Sequence, residues 1–449
     1  MLFVIIALSV VLVVLLTAVF KLHPFLSLLI GAFFMGIASG MPLADVVLSV
    51  NEGFGGLMTS IGIVIVAGTI IGVILEKSGA AYRMAEVVLR LIGEKRPQLA
   101  MSIIGFIVSI PVFCDSGFII LSSLKKALAK RAKVSIASMS VALATGLYAT
   151  HTLVPPTPGP IAAAGNIGAE NYLGTIILIG LIVAIPAAVV GYFWAVKVAS
   201  KIEVPEDTVK SGDLSYEEVI KSFGEMPSTF KAFLPIVLPV ILIGAGSVAS
   251  VLGGEDGFTN VLKFLGSPTV ALLIGVFAAF FLLPKWNEES LTGLIGEGLV
   301  SAAPILLITG AGGAFGRVIT NSGVADLIAE MDLSALAGGS LFLLIPFLIA
   351  AALKTAQGSS TAALVITSTL IAPLLPSLGV EGAVPLALVV MAIGAGAMTV
   401  SHVNDSFFWV ITQFSGMKVT DAYKAQTMAT LLQGVTTIVF TMILWTILV

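Results

Sequence analysis

Two long apolar stretches of this 449-residue chain each hold one charge, and the two charges have opposite sign. Between Pro97 and Leu124 the only charge is Asp115; between Leu333 and Val380 it is Lys354. Burying either in a bilayer costs at least about 2.5–3.5 kcal/mol on insertion scales, so such a residue marks a place where charge is used. Each sits in a Gly/Ser-containing break of its apolar run, Val-Phe-Cys-Asp-Ser-Gly at 112–117 and Lys-Thr-Ala-Gln-Gly-Ser-Ser-Thr at 354–361. A lone acid and a lone base on two matching polar tips have the chemistry to hold a small anion and a proton.

Two further apolar runs are interrupted. Residues 149–160 read Ala-Thr-His-Thr-Leu-Val-Pro-Pro-Thr-Pro-Gly-Pro, and four prolines there cannot stay helical, because each removes a donor and clashes with the preceding turn. Residues 399–406, Thr-Val-Ser-His-Val-Asn-Asp-Ser, pack hydrogen-bonding side chains between apolar arms. Unpaired backbone at membrane depth survives only where it lines protein or a watery cavity, so both breaks are expected to face a ligand site.

Elements that position these residues follow from composition. The chain is 58% hydrophobic and 10% charged with mean hydropathy +1.11, which excludes a single soluble core. Net charge of −3 and the absence of a basic stripe argue against nucleic acid. One cysteine, Cys114, allows neither an internal disulfide nor a thiolate metal cluster, and three histidines cannot supply paired haem ligands, so no cofactor or metal is expected. The run 1–20 lacks a basic flank and a cleavage site and reads as a retained helix.

Full spans are expected over about 2–20, 24–40, 57–75, 136–168 (broken), 172–196, 232–252, 267–283, 299–319, 384–410 (broken) and 426–447. Segments 97–130 and 338–376 carry the polar tips. Basic residues fix how 97–130 runs: Lys77, Arg83, Arg90, Lys95 and Arg96 precede it, and Lys125, Lys126, Lys130, Arg131 and Lys133 follow it. The positive-inside rule places both clusters in the cytoplasm, so the segment is expected to enter and leave on one side. A pair of spanning helices fits the charges equally well, but each arm has only about 15 residues where a crossing needs about 20, which favours a re-entrant hairpin. Loops 41–56, 169–171, 253–266, 320–337 and 377–383 and both termini then fall outside, with 19 of the 22 Lys and Arg inside.

The halves repeat. Glu52-Gly53 and Ser78-Gly79 recur as Glu297-Gly298 and Ser322-Gly323, and His151 recurs as His402. Five crossings and one hairpin per half invert the second half against the first. The expected fold is an all-α polytopic membrane protein of two inverted-topology repeats, each with a re-entrant helical hairpin and a broken transmembrane helix. The first repeat covers 1–200, a cytoplasmic linker 201–231, and the second repeat 232–449. Such repeats place a substrate site at their interface.

The strings Val-Phe-Cys-Asp-Ser-Gly-Phe, His-Thr-Leu-Val-Pro-Pro-Thr-Pro-Gly-Pro, Ala-Gln-Gly-Ser-Ser-Thr and Ser-His-Val-Asn-Asp-Ser-Phe-Phe-Trp resemble the gluconate permease (GntP) family of the ion transporter superfamily. The resemblance spans nearly the whole chain. It implies proton-coupled uptake of gluconate or a related small hydroxy acid across a bacterial or archaeal plasma membrane, by a homodimer working as an elevator. Gluconate-type members carry His at Thr157 and Gly at Phe407, so glycerate, D-serine and 3-hydroxybutyrate belong to the same substrate set. On this reading Lys354 attracts the substrate carboxylate, with the tip residues Gln357, Gly358, Ser359, Ser360 and Thr361 around it. Alternatively, Lys354 pairs with Asp115 or Asp405 to neutralise both.

Asp115, beside Ser116, is a candidate proton carrier, since burial and a nearby cation act on a carboxyl in opposite directions. His151, His402 and Asp405 are the others, an imidazole titrating near pH 6.5 when unperturbed. Thr152, Thr157, Asn404 and Asp405 are expected to face substrate hydroxyls. Cys114 reads as packing and His23 as interfacial. Arg317 is expected to snorkel, and Asp45, Glu52 and Glu297 to be solvated or to cap helices.

Other classes fit less well. An intramembrane hydrolase would find the residue types it needs, but there is no nucleophile elbow or HExxH, and a duplicated architecture is superfluous for one active site. A primary pump lacks a GxxxxGK[ST] loop, and a channel would conduct without proton coupling. Sodium remains an alternative coupling ion, since tips rich in Ser, Thr and carbonyls can bind it. No enzymatic activity is expected.

Overall fold

The computed structural model describes residues 2–93, 96–204, 226–252, 257–283, 287–324, 339–402 and 405–449, and among them there is no β-strand. In the first half, α1 (Leu2–Ala18) and α2 (Pro24–Ala38) precede α3 (Leu43–Leu57), which passes through a π turn at Met58–Gly62 into α4 (Ile63–Lys77). Next come α5 (Ala80–Ile92) and the first interrupted segment, α6 (Pro97–Val108), α7 (Cys114–Ile120) and α8 (Ser122–Ala132). A broken pair, α9 (Ile136–His151) and α10 (Pro158–Asn166), and a long α11 (Leu173–Lys197) complete it.

The second half repeats this order. α12 (Thr229–Leu252), α13 (Gly257–Leu265), α14 (Pro268–Ala279) and α15 (Glu288–Ile319) lead to the interrupted segment α16 (Leu344–Gln357) and α17 (Ser360–Ile371). The broken pair is α18 (Ala383–Met398) and α19 (Ser406–Ser415), and α20 (Met428–Leu448) closes the chain. Prolines start α2, α6, α10 and α14, where the missing N–H costs nothing. The repeated Ser-Gly pairs are helix stops: Gly79 and Gly323 take φ of 74° and 82°.

Five described helices are long and apolar enough to cross a bilayer: Leu43–Lys77, Glu170–Lys201, Thr229–Gly246, Ser290–Gly323 and Val419–Leu448. Gly257–Leu265 with Pro268–Leu282, bent by 66°, makes a sixth candidate. The expected spans 2–20 and 24–40 are helices of only 17 and 15 residues, short of the roughly 20 that an upright crossing needs.

The outer loop expected over 41–56 is instead helix α3, continuous with α4. Asp45 sits in its first turn, where the dipole favours an acid. The outer loop expected over 253–266 is likewise helical from Gly257 to Leu265. The middle of the expected linker, 205–225, lies outside the described residues. Its two flanks are tied down by Ser135 Oγ donating to the Ile202 carbonyl at 2.9 Å and Arg83 Nε donating to the Pro227 carbonyl at 2.8 Å.

Glu52 and Glu297 are about half exposed, as solvated acids are, and each also has a partner: Glu52 pairs with Arg317 at 3.4 Å and Glu297 with Lys77 at 3.1 Å. Each half gives the acid to one clasp and the base to the other. Arg317 therefore reaches a partner as well as water. The glycines that follow these acids let the helices meet. A Cβ on Gly53 would stand 2.3 Å from the Gly313 carbonyl oxygen, so α3 and α15 touch backbone to backbone.

Lys125 adds a contact that the charge reading does not contain. It belongs to the basic cluster that follows the first polar tip, and it is 0% exposed, with its Nζ on the Phe414 carbonyl at 3.0 Å. A run of five basic residues hides which one turns inward.

Candidate substrate site

Asp115 lies in the first turn of α7 and Lys354 in the last turn of α16, each on the helix end that its charge suits. Gly358, at φ 83°, ends α16 in the left-handed conformation, which turns its carbonyl back to accept from Lys354 Nζ at 2.6 Å. The same Nζ is 2.7 Å from Asp405 Oδ2, and the lysine is 0% exposed. Of the two readings of Lys354, the structure contains the ion pair with Asp405.

Asp405 is held from several directions. It caps α19 by accepting from Phe407 N at 3.1 Å, and Ser401 Oγ donates to the carboxylate oxygen that Lys354 also meets. Ser401 is itself fixed: its N–H donates to Thr430 Oγ1 at 3.0 Å and its carbonyl accepts from Thr427 Oγ1 at 2.6 Å. The second break is thereby bolted to the start of α20.

Asp115 lies within electrostatic reach of both Lys354 and Asp405, and its carboxyl interacts with Ser406. Its Oδ1 is buried without a hydrogen-bond partner. His151, at the end of α9, feels Lys354 and Asp405, and its Nδ1 is also buried without a partner. Its ring stacks on Tyr148 at 6.4 Å between centroids with an interplanar angle of 11°. Cys114 is packed beside the acid, 3% exposed.

Tyr148 is a site residue that the sequence reading omits. Its ring lies 5.7 Å from Lys354 Nζ, and its hydroxyl interacts with Ser360 and approaches the Ala397 carbonyl at 3.5 Å. One signal was available: it precedes His151 by three residues on one helix face, in a run otherwise made of small and aliphatic residues. Phe407 joins the same wall, 5.3 Å from the Tyr148 ring.

The remaining expected residues divide. Ser360 faces Tyr148, and Ser359 caps α17 by accepting from Ala362 N at 3.1 Å. Thr361 lies against Gly159 of the first broken pair. Thr152 and Thr157 are buried, but their hydroxyls donate to the carbonyls of Tyr148 at 3.2 Å and Val154 at 2.6 Å. Only their lone pairs are left for a ligand, because a hydroxyl that closes a break in its own helix has spent its donor. His402 stands on the Thr355 carbonyl at 2.8 Å, so its Nε2 carries the proton there. That contact joins the second break to the end of α16. Ser116 faces Glu76 of α4. Gln357 closes α16, and Asn404 lies outside the described residues.

Four helix interruptions from the two halves therefore meet around two carboxylates and one ammonium. The chain matches the model of the GntP family permeases over residues 1–448. It is 34% identical to the inner membrane permease YgbN of Escherichia coli, across 98% of this chain and 97% of that one. A gluconate permease of Pseudomonas aeruginosa is 34% identical, across 96% and 95%. The D-serine transporter DsdX of Escherichia coli is 32% identical, across 97% and 96%.

Two solved structures share the fold: the YdaH transporter of Alcanivorax borkumensis, with TM-score 0.65, 16% identity and coverage of 95% and 98%, and MtrF of Neisseria gonorrhoeae, with TM-score 0.65, 16% identity and coverage of 97% of each chain. A multi-pass, all-helical fold with repeated halves, a transporter architecture rather than an enzyme's, agrees with every one of these likenesses. The chain belongs to the GntP permease family.

Proposed function

We propose that this protein takes up a small organic acid anion together with a proton, across the inner membrane. The observation that carries this reading is a charge imbalance: Asp405 already neutralises Lys354, while Asp115 adds a second carboxyl with a buried, unpartnered oxygen. With both acids ionised the cluster is net negative, and an incoming carboxylate meets repulsion. Two like charges about 5 Å apart at an effective dielectric of about 20 repel by about 3 kcal/mol, over a hundredfold in affinity. A proton on Asp115 removes that penalty, so anion and proton bind together. Proton carriage by His151, His402 or Asp405 is disfavoured in comparison, since the latter two are engaged and His151 would add a cation beside Lys354.

In this mechanism Lys354 draws in the carboxylate, assisted by the α17 amides and the tip residues from Gln357 to Thr361. Ser116, His151, Thr152, Thr157, His402, Asn404 and Asp405 surround the rest of the substrate. The interrupted segments 97–130 and 338–376 act as re-entrant hairpins and move with the broken pairs, as an elevator, against a frame of α3–α4 and α15. Two clasps between opposite halves support that frame. The repeats are 1–200 and 232–449, joined by linker 201–231. Both termini lie outside, which the distribution of lysine and arginine supports, and the working unit is a homodimer. Gluconate, glycerate, D-serine and 3-hydroxybutyrate form the substrate panel.

Uptake into proteoliposomes tests the reading. An imposed inward proton gradient should drive accumulation of at least one of these acids at equal sodium. Accumulation driven by a sodium gradient alone, at equal pH, would replace the proton with sodium.

A further inference from the structure

The returning arm of the first interrupted segment holds a second buried lysine that the site does not use. Lys125 Nζ donates to the Phe414 carbonyl at 3.0 Å and stands 4.6 Å from the centroid of the Phe118 ring. Phe414 belongs to the last turn of α19, where carbonyls lack partners within the helix and the dipole is negative. Thus α19 is clamped at both ends: Asp405 with Lys354 at its start, Lys125 at its finish.

The ring under Lys125 extends the contact. Phe118 meets Phe407 edge-on at 6.1 Å, and Phe118 is three residues beyond Asp115. From Phe118 to Lys125, and from Phe407 to Phe414, is seven residues in each case. That is two helical turns on each side, so the α7–α8 arm and α19 run the same way, meeting first at Phe118 and Phe407 and again at Lys125 and Phe414. The two acids of the site, Asp115 and Asp405, stand near the start of these paired arms, and they come from opposite halves of the chain.

We propose that Lys125 is a positioning residue for transport: it fastens α19 to the α7–α8 arm, so that Asp115 and the Lys354–Asp405 pair keep one separation while the site changes occupancy. A buried cation costs desolvation that an apolar side chain would avoid, and the strapped helix end is the use that offsets it. The role in transport rests on the proposed function; the strapping does not, and it can be measured without any substrate.

Cys114, the only cysteine in the chain, adjoins Asp115 and reports whether the tip stays closed. Purified protein in nanodiscs is treated with N-ethylmaleimide. Lys125→Met, which keeps the chain length and loses the charge, should label about tenfold faster or more, as local opening becomes easier. Lys125→Arg, which keeps a charged donor, should stay within about threefold of the parent. In proteoliposomes Lys125→Met should raise the apparent KM for whichever acid of the panel the parent accumulates and leave Vmax per folded transporter largely intact. Folded Lys125→Met with parental labelling and parental KM overturns the proposal, whatever its melting temperature. Should Lys125→Met fail to fold, amide exchange on the unmodified protein decides: residues 114–125 and 406–415 should open together, and independent opening overturns the proposal. Faster labelling without uptake of any acid of the panel by the parent would keep the strap and remove the substrate reading.

Discussion

Asp115 and Lys354 were visible from the sequence as opposite charges in apolar runs, and the structure adds the asymmetry between them. Lys354 has its counter-ion; Asp115 has one carboxyl oxygen left over. Replacing Asp115 by Asn should therefore uncouple: exchange of labelled substrate across proteoliposomes persists, and accumulation driven by a proton gradient falls to background. Gradient-driven accumulation at the parental level in Asp115→Asn would move the proton elsewhere. The ion pair predicts a different pattern. Lys354→Met alone leaves Asp405 buried and uncompensated, at a cost of about 3–5 kcal/mol, while the double variant with Asp405→Asn should regain most of that stability and still not transport. Thermal unfolding and uptake on the same preparations separate the two effects. A substrate bearing its own ammonium, as D-serine does, can balance Asp115 directly, so its uptake should depend less on the proton gradient than that of a hydroxy acid.

Helix interruptions were the most legible feature at the scale of elements. Prolines at 155, 156, 158 and 160 and the Gly-Ser-Ser run after Gln357 act within a few residues, so their effect is local and readable. Gly358 shows how local backbone geometry becomes site chemistry: its positive φ both ends α16 and turns its carbonyl to Lys354. Gly358→Ala should cost about 1–2 kcal/mol from the left-handed conformation, seen as a lower melting temperature, and should weaken uptake beyond that loss. Pairings between distant residues were legible at most as alternatives. The sequence offers Lys354 either Asp115 or Asp405 without choosing, and nothing in it joins Lys125 to Phe414, because each contact depends on how two interruptions dock. Charge counting could not pick out Lys125 for the same reason: a basic run reports which side a loop faces, not which side chain turns inward. Helix α3 was missed because its polar residues read as a loop, although they lie on a helix whose acid Glu52 has a partner in the other half.

The whole molecule is a sequence duplication whose halves have exchanged partners. The repeated Glu-Gly pairs supply the acids of the clasps and the close approaches that hold α3–α4 to α15. Repeat recognition worked because the same physical job recurs in each half, while the count of crossings was less secure, since several apolar runs fold as shorter pieces.

On α15 the clasp residues Glu297 and Arg317 are twenty positions apart, with no charge between them. At 1.5 Å per residue that separation is about 30 Å, the thickness of a bilayer's hydrocarbon core. A bilayer matched to that length would have one clasp at each of its boundaries. In vesicles of graded acyl-chain length, uptake should peak where the lipid matches that length. Thicker lipid should slow it by drawing the clasps into hydrocarbon, thinner lipid by wetting the apolar band between them, and a flat response across the series would mean the frame ignores its surroundings.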